Sequence, residues 1–317
     1  MPPLVSVILP TFNRLQFLAP AIDSLFAQTF TDWELIIADD GSDAPTRAYL
    51  QGLHGPPRVR VLALTHSGRP GVVRNAALRE ARGQLVAFLD SDDLWVPHKL
   101  ERQIASLRRQ PQCSWGYTGF AVVEAGGQTP AARLDRTRSV ISGWIAERML
   151  NDETVIALPS VIVRRATLER LGGFDEELTM CEDDELWLRL ALDGEVDGVD
   201  EPLTLVRRHG EHGGDDATAW RDRRRVFEKA LRTNGDPRLR TILRRLRAEM
   251  AAGLARSQAA GGRRLSAVGT LAASAPYSCR YRRWWRSAAQ TFAQAFAPRA
   301  LRRAVRGYRG APRAADR

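Results

Sequence analysis

The sequence predicts an α/β fold: a mostly parallel sheet flanked by helices, followed by a helical, basic C-terminal extension. Three observations predict it. Short apolar runs alternate with helical repeats through roughly the first 90 residues, a rhythm that calls for right-handed crossovers between parallel strands. The run LVAFL at 85–89 is apolar throughout, as in a strand buried on both faces, and it ends in Asp90, Asp92 and Asp93. Charge is split along the chain: residues 1–219 hold 22 basic and 32 acidic side chains, whereas residues 220–317 hold 25 basic and 5 acidic. That asymmetry suggests an anionic partner for the extension: membrane surface, nucleic acid or another protein.

The elements follow in order. Residues 5–9 (VSVIL) read as a strand closed by Pro10. Leu15, Leu18, Ile22, Leu25 and Phe26 recur at helical spacing and make one apolar stripe. A second strand at 34–38 ends in Asp39-Asp40-Gly41-Ser42, and a short third strand covers 59–62. A helix from about Gly71 to Gly83 leads into LVAFL. Pro97 opens another helix, with Leu100, Ile104 and Leu107 on one face. Beyond Cys113 the pattern loosens. Strands are expected at 117–123, 161–164 and 203–208, and helices at 166–171, stopped by Gly172-Gly173, and at 185–192. Residues 126–138 read as a polar, irregular loop, and from about Asp215 the chain reads as helical. The expected division is 1–215 for the α/β domain and 216–317 for the arginine-rich extension.

A chain of 317 residues can bury one large core with an appendage. Cys113, Cys181 and Cys279 are widely spaced with no CxxC, which fits a reducing compartment and argues against a disulfide framework. The N-terminus enters a strand directly, so no secretory leader is expected. No uninterrupted apolar stretch reaches the ~18 residues of a membrane-spanning helix.

Ligands of open α/β sheets bind outside the carboxyl ends of the strands. Carboxylates crowded there repel one another and lose hydration, and a divalent cation bridging to phosphate oxygens offsets that cost. Asp39 and Asp40 end the second strand beside the same crevice. Glu182-Asp183-Asp184-Glu185 opens a helix, whose N-terminal partial charge accounts for one or two of the four acids but not for all.

With these segments in view, the chain resembles the family 2 glycosyltransferases, inverting enzymes with the Rossmann-like, nucleotide-sugar-binding GT-A fold. The resemblance rests on VSVILPTFNR (5–14), SLFAQTFTDWELIIADDGS (24–42), RNAALREARGQLVAFLDSDD (74–93), LGGFDE (171–176) and EDDELWLRL (182–190), in the family's order over about two-thirds of the chain. It makes 1–215 the catalytic domain. It implies that Pro10, Thr11 and Asn13 contact base and ribose, that Asp39 accepts from the base N–H, and that Arg74 acts on the nucleotide side. A solvated turn remains the alternative for Asp40, as strand-to-helix capping does for Asn13. By the same resemblance Asp90 serves the ribose, Asp92 ligates Mg²⁺ or Mn²⁺, and Asp183 removes the acceptor proton, with Asp184 as its rival by one residue. His209 matches a position where the family often carries a metal-facing histidine. The serine usual a few residues on is absent, and His212 is a lesser rival. Phe174, Asp175 and Glu182 fall on the acceptor side, although a helix stop with a core phenylalanine explains Phe174 equally well.

The implied partners are a nucleotide-sugar donor, expected to be a UDP-sugar, and a glycan or lipid-linked acceptor in cell-surface polysaccharide synthesis by a hexosyl- or N-acetylhexosaminyl-transferase. In the extension, Arg280, Arg282, Arg283 and Arg286 interleave with Tyr281, Trp284 and Trp285, ahead of a stripe of Trp285, Ala289, Phe292 and Phe296. That pattern suits a helix in an anionic membrane interface, so a cytoplasmic protein peripheral to the inner face of the membrane is expected. Helices packed on the catalytic domain are the alternative. No nucleic-acid motif accompanies the basic composition, and no nucleic-acid partner is expected. Two other readings compete for the whole chain. A sugar-phosphate nucleotidyltransferase should carry a glycine-rich loop after the first strand, and PTFNR offers none; a catalytically silent GT-A-like scaffold is the other.

Overall fold

The computed structural model describes residues 2–53, 58–124, 139–208 and 216–296. The chain divides into two compact units, Met1–His212 and Gly213–Arg317.

The first unit is built on one eight-stranded mixed sheet of order β3-β2-β1-β4-β7-β6-β8-β5. Its strands are β1 (Val5–Thr11), β2 (Trp33–Asp39), β3 (Val59–Ala63), β4 (Leu85–Phe88), β5 (Leu94–Trp95), β6 (Trp115–Glu124), β7 (Val161–Arg164) and β8 (Val196–Arg208). Its helices are α1 (Leu15–Phe26), α2 (Ala44–Gly52), α3 (Pro70–Glu80), α4 (Lys99–Arg109), α5 (Ala146–Leu150), α6 (Arg165–Leu171) and α7 (Glu182–Asp193). Strands β3, β2, β1 and β4 run parallel, β7 is antiparallel to β4 and β6, and β8 is parallel to β6 with a register irregularity around Gly119.

Burial on both faces explains the unbroken apolar runs. Side chains of a strand alternate between faces, so Val5, Val7 and Leu9 join Leu35, Ile37, Leu85 and Ala87 on one side. There they meet Leu18, Ile22 and Leu25 of α1 and Leu100, Ile104 and Leu107 of α4. On the other side Phe88 of β4 packs edge-on to Phe174 at 5.3 Å and lies 6.1 Å from Trp187 of α7, which stacks in turn on Trp115 of β6 at 6.1 Å. This aromatic column ties the start of α7 to the strand that ends in the aspartates.

At the amino ends of β1, β2 and β4, Ser6 Oγ donates to the buried Glu34 carboxylate at 2.6 Å and accepts from the Gly83 N–H at 2.8 Å. The backbones pass so closely that a Cβ on Gly83 would sit 2.5 Å from the Ser6 nitrogen. Residues α2, β5 and the first half of β8 were not legible in the hydropathy pattern. The α2 helix buries little beyond Leu50 and Thr46 and is set by its cap, Asp43 accepting from the Thr46 N–H at 3.0 Å. The polar start of β8 is held as a strand by its partner β6.

The second unit contains α8 (Asp216–Thr233), α9 (Pro237–Ala260), α10 (Arg264–Ser278) and α11 (Arg282–Phe296). Small residues of α9, among them Ala251, Ala252 and Ala255, are buried, and Gly253 leaves room for the Trp220 ring, which would lie 2.5 Å from an added Cβ. In α11 Trp284, Ala288 and Ala295 are buried, whereas Trp285, Phe292 and Phe296 are exposed.

Candidate active site

Parallel order places the carboxyl ends of β2, β1 and β4 side by side, and the side chains that follow them line a cleft of about 310 Å³. Its floor is framed by short polar bonds. Asn13, in the left-handed region at φ 53°, donates its N–H to Ser42 Oγ at 3.0 Å and accepts from the Asp43 N–H at 2.7 Å. Asp39, 2% exposed, accepts from the Ser42 N–H at 3.1 Å, so one of its oxygens serves the turn. Asp40 lines the cleft and gathers the loop after β3: its carboxylate accepts from the N–H and Oγ of Ser67 at 2.8 and 3.0 Å and from the Gly68 N–H at 3.0 Å. His66 Nδ1 lies 3.0 Å from the same carboxylate, and the imidazole stacks on Phe12 at 4.2 Å. Pro10 and Thr11 also line the cleft. Thr11 Oγ1 is buried and has no hydrogen-bond partner among the described residues, an orphan hydroxyl at the end of β1.

Beyond β4, Arg74 of α3 organises the acids. Its guanidinium bonds Asp90 at 2.9 Å and Glu182 at 2.5 Å and sits over the Phe174 ring at 5.6 Å. Arg14 pairs with Asp92 at 2.8 Å. Asp93 is buried and accepts from the Arg207 N–H of β8 at 2.9 Å, which holds that strand. Burial pushes the Asp90 carboxyl up against the pull of Arg74, with Asp92 adding repulsion. Burial together with Asp90 and Asp92 raises Asp93 further.

Helix α7 starts from Cys181, held left-handed at φ 63°, so the chain enters the helix through a sharp turn. Asp183 accepts from the Asp184 N–H at 2.8 Å. Burial and the neighbouring Glu182 charge push its carboxyl up to about 6, with Arg74 opposing and Asp90 adding to the rise. The acids after β4 and those opening α7 therefore share one electrostatic field, bridged by Arg74. Asp184 is exposed, and the register favours Asp183 as the group facing the other acids.

Two expectations change in the structure. Phe174 is 2% exposed, wedged between Phe88 and the Arg74 guanidinium, which removes it as a direct acceptor contact. Glu182 is buried and bound to Arg74, so it positions that guanidinium instead of meeting an acceptor. Asn13 turns its carbonyl oxygen to the Asp43 N–H while its side chain stays exposed, so the capping role and a ligand contact through its amide both fit. Asp175, half-buried, accepts from the Glu177 N–H at 3.0 Å. His209 and His212 lie outside the described residues, as does 126–138. Sequence reasoning gave no role to Arg14 or His66. The signal for His66 was positional: the loop after a third parallel strand must reach the same sheet edge.

Among the described residues no three His, Cys, Asp or Glu side chains form a ready metal cage. Two strand-end aspartates offering hard oxygen donors, without further protein ligands, fit a cation that takes its remaining ligands from phosphate and water, as Mg²⁺ and Mn²⁺ do.

A polar cleft at the carboxyl ends of parallel strands, with paired aspartates and an acidic helix start tied to them through Arg74, is the arrangement in which open α/β sheets bind ligands. The family model for glycosyl transferase family 2 matches residues 6–167, just over half the chain, and the chain belongs to that family. TuaG of Bacillus subtilis, a glycosyltransferase named for teichuronic acid biosynthesis, is 33% identical over 175 residues, covering 51% of this chain and 69% of TuaG. The Escherichia coli UDP-Glc:α-D-GlcNAc-diphosphoundecaprenol β-1,3-glucosyltransferase WfgD is 27% identical over 198 residues, 62% of this chain and 73% of WfgD. Among solved structures, Staphylococcus aureus TarS 1–349 in complex with UDP-GlcNAc superposes with a TM-score of 0.68 at 20% identity, over 97% of this chain and 92% of that one, which shows the GT-A fold. The Pyrobaculum calidifontis mannosyltransferase PcManGT, solved with GDP-Man and Mn²⁺, has a TM-score of 0.57 at 18% identity.

Proposed function

We propose that this protein transfers a hexosyl or N-acetylhexosaminyl group from a nucleoside-diphosphate donor, a UDP-sugar, to a hydroxyl of a glycan or lipid-linked acceptor, with inversion at the anomeric carbon. The observation that supports the reading is the Arg74 bridge between Asp90 and Glu182, which ties the acids after β4 to the acidic start of α7, where Asp183 follows Glu182. Relatives named for teichuronic acid and diphosphoundecaprenol-linked glycan synthesis support a role in cell-surface polysaccharide formation.

Asp183 is the base. Above about pH 6 it is a carboxylate and takes the acceptor hydroxyl proton as the acceptor oxygen bonds to the anomeric carbon and the bond from that carbon to the diphosphate oxygen breaks. A single base with direct attack inverts configuration, in contrast to the two close carboxylates of a retaining mechanism. Pro10, Phe12, Asp40 and His66 hold the nucleoside, with Asp39 behind them, and the orphan Thr11 hydroxyl gains a partner from the donor. Bound Mg²⁺ or Mn²⁺, held by Asp92 with Asp90 beside it, would neutralise charge on the departing diphosphate. His209 is a further candidate ligand, outside the described residues.

The C-terminal unit is read as a peripheral membrane contact at the cytoplasmic face. No helix of the described residues is long and apolar enough to cross a membrane. The exposed Trp285, Phe292 and Phe296 lie on one side of α11, flanked by exposed Arg282 and Arg286, which suits anionic headgroups.

The test is a donor screen reading released nucleoside diphosphate, with and without Mn²⁺, on the native protein and Asp183→Asn. Donor-specific release that collapses in the variant is expected. Unchanged transfer by folded Asp183→Asn would remove Asp183 as the base, and silence toward every donor would favour the scaffold reading.

A further inference from the structure

The second unit holds a cluster of cationic side chains that the transfer chemistry does not use. Two contacts set α8 and α9 antiparallel and fix their register: Arg240 of α9 donates to the Leu231 carbonyl of α8 at 2.6 Å, and Gly253 of α9 faces the Trp220 ring of α8. Arg247 lies about two helical turns beyond Arg240, and Arg224 about two turns before Leu231, so the two arginines fall level with each other. Tyr277 reaches them from α10, with the Arg247 guanidinium 3.7 Å from its ring centroid. Burial pushes the Tyr277 hydroxyl up, while Arg224 and Arg247 draw it down and Glu228 adds to the rise, so the phenol sits in the field of all three.

Acceptors are what these groups lack. The Nε atoms of Arg224 and Arg247 are buried and have no hydrogen-bond partner among the described residues. Glu228, one turn along α8, stands 3.5 Å from Arg224 and can balance one guanidinium. Arg247, stacked on a ring, has no carboxylate partner among the described residues. Neighbouring acids are engaged elsewhere: Asp222 pairs with Arg225 at 3.8 Å, and Glu249 of α9 with Arg283 of α11 at 3.4 Å. A partly buried guanidinium without an acceptor is costly, and an anion joining it removes the cost. The Arg283 contact also brings the start of α11 beside this level of α9, and Trp285, two residues on, is exposed.

We propose that Arg224, Arg247 and the Tyr277 hydroxyl form a phosphate-binding site in the C-terminal unit. Two guanidiniums and a hydroxyl supplied by three helices suit a tetrahedral oxyanion, which has an oxygen for each, whereas a carboxylate has only two. The phosphate is that of a lipid headgroup or of a soluble phosphate, and the site stands apart from the transfer chemistry.

The experiment is calorimetric titration of the full-length protein with inorganic phosphate, for the native chain, Arg247→Gln, Arg224→Gln, Tyr277→Phe and Arg264→Gln, with circular dichroism as the folding control. Arg264 is exposed at the start of α10, so its variant removes the same charge outside the cluster. Phosphate entering the cleft of the first unit contributes equally to every variant, and the site is read as the difference from native. Arg247→Gln and Arg224→Gln should each weaken binding about tenfold, the loss of a charge-assisted contact. Tyr277→Phe keeps the ring beneath Arg247 and should cost about fivefold. Arg264→Gln should stay within about twofold of native. Sedimentation with phosphatidylcholine vesicles, with and without phosphatidic acid, separates the sources. Partitioning onto phosphatidic acid that falls in Arg247→Gln but not in Arg264→Gln assigns the headgroup; equal partitioning, with the loss in solution retained, assigns a soluble phosphate. Folded Arg247→Gln and Tyr277→Phe that both bind phosphate within about twofold of native and partition as it does would overturn the site. Equal losses in Arg247→Gln and Arg264→Gln would overturn it as well, reducing it to bulk charge. Either result leaves the membrane contact of α11 standing, since that reading rests on Trp285, Phe292 and Phe296.

Discussion

Asp183 carries two burdens that a single substitution separates. Its carboxyl is pushed up to about 6 because burial and Glu182 disfavour its charge. A base must be ionised to act, so the transfer rate should rise through about pH 6 and fall at lower pH with unit slope, read as kcat against pH. The same shift acts on stability. A carboxyl raised above its ordinary 3.8 is penalised in the folded state wherever it is charged, a cost fully present above about pH 6 and gone below about pH 4. Asp183→Asn should therefore lower kcat by about 10³-fold. It should also stabilise the fold at neutral pH by about 1–2 kcal/mol, discounted for partial exposure. The gain should shrink as the medium is acidified, and thermal melts at pH 7.5 and 4.5 check both signs. Arg74 behaves in the opposite way. Removing it leaves Asp90 and Glu182 buried without their shared partner, and Arg74→Gln should destabilise by about 3 kcal/mol or more in urea unfolding.

Helix α4 illustrates what packing can impose on an element against its own residue preferences. Lys99, in its first turn, is fully buried, with Nζ 3.9 Å from the Trp95 ring centroid and no hydrogen-bond partner among the described residues. Burial holds its pKa well below the ordinary 10.5. A lysine with a depressed folded pKa loses stability as pH falls below its unfolded value, because the unfolded chain takes up the proton first. Lys99→Met should keep the aliphatic stem and stabilise the protein by about 1 kcal/mol or more at pH 7. The gain should shrink toward pH 10, and chemical denaturation across that range would decide it. At the amino ends of the parallel strands, Gly83→Ala should cost about 2 kcal/mol, because its Cβ meets backbone rather than a yielding side chain. Activity per folded molecule should be unaffected, since Gly83 precedes β4 at its amino end, whereas the cleft lies beyond the carboxyl end. The elements with strong periodicity, β1, β2, β4, α1 and α4, were legible because each buries a regular apolar face. The short β5, the polar start of β8 and the capped α2 were not, because neighbours and caps hold them in place of hydrophobic pattern.

The molecule as a whole separates an acidic α/β unit from a cationic helical one. If α11 meets anionic lipid, binding to phosphatidylserine-containing vesicles should fall steeply with added salt, since screening weakens headgroup attraction. It should fall again when Trp285, Phe292 and Phe296 are replaced together by serine. Equal vesicle partitioning by that variant and the native chain in a sedimentation assay would sink the membrane reading.

What the sequence by itself determined is the series of parallel strands and the carboxylates at their ends. Apolar runs of strand length and acids at their termini are local patterns that survive without coordinates. It also singled out the acid cluster at 182–185, which exceeds what a helix dipole explains, whereas the choice of Asp183 within it is what the family resemblance implies. Tertiary structure alone decided which side chains face the cleft. Glu182 looked like an acceptor contact until Arg74 was found bridging it to Asp90, 108 and 16 positions away in the chain. His66 and Arg14 carried no local pattern and became site residues only through stacking on Phe12 and pairing with Asp92. The reason is physical: periodicity records which residues are buried, whereas the partner of a charge is set by the crossing of segments distant in sequence.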